Sequence, residues 1–160
     1  MTTVLLVDDH ELIRSGLAAV IDLEPDLEVV ATAATVAEAM AAYAGLAPDV
    51  VVADLQLPDG TGLDIVRGVR RASCTTGLVV LTMHSGDDQI FAAMEAGASG
   101  FVGKDAPARE VVRTARHAAV SPRSFVCSGL AQAVVRRTGG SAARLSDREH
   151  DVLLLLADGL

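Results

Sequence analysis

Short apolar runs rich in Val and Leu punctuate the first two-thirds of the chain, at residues 3–8, 27–32, 49–54, 77–82 and 99–103. Each is too short for a core helix, and its Val- and Leu-rich composition predicts a strand. Longer segments of helical spacing lie between them. In the first, Ile13, Leu17, Val20 and Ile21 share a face; in the third, Leu63, Val66 and Val69 share one while Arg67, Arg70 and Arg71 point away. Strands alternating with helices predict βαβ units and an α/β fold on a parallel sheet. Right-handed crossovers leave few arrangements, and for five strands the flavodoxin-like order 2-1-3-4-5, a doubly wound (βα)5 sheet, is the natural one. The fifth helix is expected over 106–120, ending before Ser121-Pro122.

The texture then changes. "SPRSFVC" (121–127) is expected as a loop, 128–138 as one short helix and "GGSAA" (139–143) as flexible linker. In "RLSDREHDVLLLLADGL" (144–160), Ser146 and Glu149 fit a capping box, and Val152, Leu153, Leu156 and Leu160 line one helical face. The expected organisation is a domain over 1–120, a linker over 121–143 and a separate helical start over 144–160. Physics alone leaves that last helix packing on the first domain or on a second subunit.

Composition narrows the class. Half of the 160 residues are apolar, but only Tyr43, Phe91, Phe101 and Phe125 are aromatic, so the core is expected to be aliphatic. Cys74 and Cys127 have no metal-ligand spacing and read as reduced thiols. The start lacks a basic signal-peptide region and no stretch approaches membrane-spanning length, so a soluble, cytoplasmic protein is expected. Residues 1–120 carry 8 Lys plus Arg against 17 Asp plus Glu, a net −9, while 121–160 carry a net +1. An acidic body disfavours binding to a phosphate backbone, and neither part is basic enough to suggest nucleic-acid binding on charge.

The chemistry gathers at the carboxyl ends of the strands. In this topology ligands bind where strand order reverses, here between the first and third strands. Asp8 and Asp9 end the first and Asp54 ends the third. Three such carboxylates repel unless one is protonated or a cation sits among them, and an all-oxygen set suits Mg²⁺. Asp9 by itself has the alternative of capping the next helix. Thr82 ends the fourth strand and Lys104 follows the fifth. It is the only lysine, against twelve arginines. A compact ammonium suits a single oxygen partner where a guanidinium prefers two.

These residues together resemble the receiver domain of bacterial two-component response regulators, over 1–120. The stretches "LVDDHELIRSGL", "LTMHS" and "GASGFVGKDAPARE" look like the NarL/FixJ subfamily, and 144–160 looks like the interrupted start of the LuxR-type helix-turn-helix that follows its receivers. The resemblance implies that Asp54 is the phosphoacceptor. It implies Mg²⁺ held by Asp9, Asp54 and the backbone carbonyl of Gln56, with Asp8 directly or through water. Lys104 and Thr82 would bind phosphoryl oxygens, and Phe101 would move as Thr82 does. Gln56, Met83 and His84 fall at positions that tune phosphate lifetime. The implied partners are a sensor histidine kinase, a second copy on activation, and promoter DNA through the remainder of the helix-turn-helix. No membrane is implied.

Some positions depart from the commonest pattern. Position 101 is Phe rather than Tyr, Met83 follows Thr82 where a small residue is frequent, and Gly103 and Asp105 flank Lys104. His10, His117 and His150 show no ligand grouping in the sequence. An Asp-nucleophile phosphohydrolase would want an acid/base carboxylate two residues past Asp54, where Gln56 stands. A flavin or nucleotide binder would want a Gly- or Ser/Thr-rich loop where "DDHE" stands. A receiver gated by a small ligand or by dimerisation, without phosphate, is the remaining alternative. On this reading the protein is a switch, not an enzyme, beyond any self-phosphorylation and autodephosphorylation.

Overall fold

The computed structural model describes residues 1–83, 86–127 and 134–135. The chain runs β1 (Thr2–Val7), α1 (Glu11–Asp22), β2 (Leu27–Ala33), α2 (Val36–Leu46), β3 (Val50–Asp54), the hairpin β4 (Gln56–Leu57) and β5 (Gly60–Thr61), then α3 (Gly62–Ala72). It continues with β6 (Gly77–Thr82), α4 (Asp87–Ala96), β7 (Gly100–Gly103), α5 (Ala108–Val120) and β8 (Val126–Cys127). The main sheet has the order β2-β1-β3-β6-β7-β8, every pair parallel. Its first five strands are those expected from the apolar runs, in the 2-1-3-4-5 order.

Strand alternation divides the core in two. Leu5, Val7, Val51, Leu78 and Val80 point to the face covered by α2, α3 and α4. Val4, Leu6, Val50, Val52, Val79 and Leu81 point to the face covered by α1 and α5, against Ile21, Val111, Ala115 and Ala118. Both faces are dry, which is why these strands read as continuous apolar runs rather than alternating ones. The first helix is less buried than its stripe predicts. Ile21 is fully buried, but Leu17 and Val20 are only partly covered, and Ile13 is 36% exposed at the rim.

Two expectations are corrected. Residues 121–127 do not form only a loop: Val126 and Cys127 pair with Gly100 and Phe101 as a sixth strand, and Phe125 is buried in the core. One of the chain's four aromatics thus lies beyond the fifth helix, where burying it pulls the chain back over the open edge of β7. Arg70, expected to point into solvent, instead turns inward. Its guanidinium donates to the carbonyls of Gly97 (2.8 Å), Thr76 (2.6 Å) and Pro122 (2.8 Å), with longer bonds to Ser99 Oγ (3.2 Å) and the Ser73 carbonyl (3.4 Å). Burial lowers its pKa, and every one of these acceptors is neutral. Gly97 caps α4 in the left-handed region (φ 109), a conformation glycine adopts without strain, and so presents its carbonyl to Arg70.

Of the short helix expected over 128–138, only Val134–Val135 are described, and they are helical. The expected linker at 139–143 and the capping-box helix at 144–160 lie outside the described residues.

Candidate functional site

Three strand ends meet at one edge of the sheet. β1 delivers Asp8 and Asp9, β3 ends in Asp54, and β6 ends in Thr82, with Lys104 just past β7. Pairing fixes the registry: Val7 lies beside Ala53, Asp54 beside Leu81, and Thr82 beside Gly103. The amide of Lys104 donates to the Thr82 carbonyl (2.7 Å), which holds the root of the lysine against the end of β6.

The segment after Asp54 is fastened at several points. Thr61 caps α3 in a reciprocal box with Asp64, while both carboxylate oxygens of Asp59 accept the first free amides of α2, from Val36 (2.7 Å) and Ala37 (3.0 Å). These two bonds hold the Asp59 carboxyl below the usual range. Gly62 is required by contact: a Cβ there would stand 2.5 Å from the carbonyl oxygen of Asp54. The "PDGTGLD" stretch is therefore the mount on which Asp54 sits.

Charge at the site is unbalanced. Asp8 and Asp54 are buried, and the ammonium of Lys104, whose side chain is only 4% exposed, lies 2.8 Å from Asp54 Oδ2 and 2.9 Å from Asp8 Oδ2. The first contact is a well-directed hydrogen bond and the second an ion pair. Burial raises the Asp54 pKa, and the opposing pull of Lys104 and of the Gln56 amide (3.3 Å from Oδ1) does not cancel it. For Lys104, burial pulls downward, but the hydrogen bonds and charges of Asp54 and Asp8 outweigh it and the pKa rises.

Asp9 is one-third exposed and completes the group on the solvent side. Ligand atoms from Asp8, Asp9, His10 and Asp54 all lie within 4.8 Å of one another. The arrangement offers a buried carboxylate nucleophile, a fixed cation beside it, and an oxygen-rich mouth able to hold a divalent ion. Thr82 and Phe101 are buried, at 3% and 2% exposure, and Met83 is 66% exposed at the rim. Gln56 is exposed in β4, and His84 lies outside the described residues.

Sequence reasoning missed His10. Its Nδ1 stands 3.2 Å from Asp8 Oδ1 and 3.1 Å from Asp9 Oδ1. The available signal was adjacency: a residue directly after a paired carboxylate at a strand end, before a helix, is carried into the same mouth.

Residues 4–116 match the family model of the response regulator receiver domain. Over its full length the chain is 37% identical to the DNA-binding transcriptional activator DevR/DosR of Mycobacterium tuberculosis, covering 76% of that protein. It is 32% identical to the transcriptional regulatory protein LiaR of Bacillus subtilis, over 99% of this chain and 78% of that one. Among solved structures, a LuxR-family two-component response regulator from Aurantimonas superposes with a TM-score of 0.78 at 35% identity, covering 87% of this chain and 99% of the other. The chain belongs to the response regulator receiver family, the receiver domains of two-component transcriptional regulators, in its NarL/LuxR branch.

Proposed function

We propose that Asp54 is the phosphoacceptor of this receiver and that a sensor histidine kinase is its phosphodonor. A carboxylate oxygen of Asp54 attacks phosphorus in line with the departing group, forming an aspartyl phosphate. The Lys104 ammonium, 2.8 Å from Asp54 Oδ2, transfers that pairing to a phosphoryl oxygen, and the Thr82 hydroxyl donates to another. The registry of β6 and β7 sets the backbones of both residues beside the acceptor, so the transfer asks only for local side-chain movement.

The donor set fits Mg²⁺. Three carboxylates face a single ammonium, which leaves an excess of negative charge in a partly buried mouth, and the donors are mostly hard oxygens. Asp9, Asp54 and the Gln56 carbonyl would hold the ion, with Asp8 directly or through water. When bound, Mg²⁺ neutralises charge on the incoming phosphoryl group. The observation that carries this reading is the Lys104 bridge between two buried carboxylates at strand ends, with the partly exposed Asp9 beside them.

The response then passes through Thr82 and Phe101 to β7 and the faces of α4 and α5, toward a second copy of the chain and a helix-turn-helix output beginning at 144–160 after a linker that follows β8. Gln56, Met83 and His84 set how readily water reaches the phosphorylated carboxylate, and the protein acts in the cytoplasm. Labelling with a small acyl phosphate and Mg²⁺ tests the assignment: wild type takes up a hydroxylamine-labile phosphoryl group and Asp54→Asn does not. Equal labelling of the variant would place the acceptor elsewhere.

A further inference from the structure

The segment after α5 lies along the open edge of the main sheet and meets β7 at the residue expected to move. Val126 pairs with Gly100 and Cys127 with Phe101, and the Val126 amide donates to the Ser99 carbonyl (3.1 Å). On the other side of β7, Val80 lies beside Phe101 and Thr82 beside Gly103. Residues paired across a sheet share a face, as do alternate residues along one strand. Thr82 on β6, Phe101 on β7 and Cys127 on β8 therefore all lie on the side of the sheet that α4 covers. A row of side chains leads from the end of β6 out to the sheet's edge. It ends in a filled corner, where Phe101, Phe125 and Val134 are buried in one core cluster with Phe91 and Met94. The segment beyond α5 is attached there in two ways. Its root is polar: the Pro122 carbonyl accepts from Arg70 and from Ser99, and the Ser124 carbonyl lies 3.3 Å from His117 Nε2. β8 itself is two residues long, held by its ladder to β7 and by the burial of Phe125 and Val134.

We propose that β8 is the receiving element of the switch: it stays clasped to β7 while Phe101 fills this corner and is released when Phe101 turns toward Thr82. The inference rests on the reading of Asp54 as phosphoacceptor with Thr82 and Phe101 as the responding pair, and adds the segment of this chain that takes up the response. A close-packed interior does not tolerate a void the size of a phenyl ring, so withdrawing the ring makes its neighbours collapse or part. α4 is a ten-residue helix and β7 is paired on both sides, whereas a two-residue pairing at the sheet edge is the weakest structure touching the corner. It yields first. The root at Pro122 stays tied, so residues 125–127 swing about it, and the chain leading to 144–160 changes its anchorage on the domain. Regulation is then a change in where the linker is held.

The Cys127 thiol reports the state of β8 directly, because it is half-buried and its residue pairs with Phe101. Cys74 is exposed, and Cys74→Ser leaves one thiol in the full chain. Alkylation of Cys127 by N-ethylmaleimide is timed with and without acetyl phosphate and Mg²⁺, while intact mass counts the phosphoryl groups. Phosphorylation should raise the rate about tenfold or more, since modification of a covered thiol follows opening of the strand over it. The rise should vanish in Asp54→Asn. Phe101→Leu, which leaves the corner underfilled, should raise the rate before phosphorylation and shrink the rise that follows it. A fully phosphorylated chain whose Cys127 reacts no faster overturns the release of β8 and leaves the phosphoacceptor standing. A rise undiminished in Phe101→Leu overturns Phe101 as the link. No phosphoryl group on wild type overturns the reading on which the inference rests.

Discussion

Replacing Arg70 by methionine keeps most of the aliphatic stem and removes five hydrogen bonds at once. Three of them, to Thr76, Gly97 and Pro122, are 2.8 Å or shorter. A hydrogen bond from a charged donor contributes about 1.5–3 kcal/mol net when it is well protected. The guanidinium is only half-buried, so water re-satisfies part of what is lost, and halving the sum leaves about 3 kcal/mol. For a domain of this size that corresponds to a fall of roughly 10 °C in Tm. Urea denaturation followed by circular dichroism, at unchanged m, measures it. The same substitution should speed amide exchange in 123–127, because the Pro122 carbonyl loses its tie to α3 and keeps the bond from Ser99. Arg70→Lys should recover little, since one ammonium cannot span acceptors on three sides. A loss below about 1 kcal/mol, with unaltered exchange at Val126 and Cys127, would refute the claim that Arg70 fastens the sixth strand.

Lys104→Met should destabilise the metal-free protein by about 3–5 kcal/mol, because it leaves two buried carboxylates without their cation. Lys104→Arg should retain stability better yet impair phosphorylation, and an unaltered phosphorylation rate would contradict the tight fit of the ammonium. Asp59→Ala should lower Tm at neutral pH by releasing two amides at the start of α2. The folded-state pKa of Asp59 is depressed, so its contribution is present above the ordinary carboxylate pKa and fades as pH falls through the lowered value. The gap between variant and wild type should therefore close in acid; a gap that stays constant in a pH series of melts would contradict the capping role. Burial pushes the Cys127 thiol up to about 12, whereas Cys74 is exposed. Iodoacetamide should modify Cys74 first at mildly alkaline pH, and equal rates would show that β8 does not cover the β7 edge.

The parallel sheet was legible because strands buried on both faces leave an unmistakable mark: Val50, Val51 and Val52 run together with no polar alternation. The convergence of Asp8, Asp9, Asp54, Thr82 and Lys104 followed from strand order alone, since each sits at a carboxyl end. Arg70 was not legible. On a helical wheel it shares its polar face with Arg67 and Arg71, and only the neutral carbonyls brought to it by distant turns draw it inward. β8 was hidden for a similar reason. Two residues cannot show a period, and the signal was a single aromatic, Phe125, placed past a Pro-containing turn. His10 escaped because its neighbours in space were its neighbours in sequence, read as a pair rather than as a trio.

The central claim concerns one carboxylate, and chemistry can mark it. Treating the acyl-phosphate-labelled protein with borohydride reduces an aspartyl phosphate to homoserine, and peptide mapping then locates the altered residue. The account predicts conversion at position 54 alone, dependent on a divalent cation. Conversion at Asp8 or Asp9, or none anywhere in a chain that retains its fold, would contradict it.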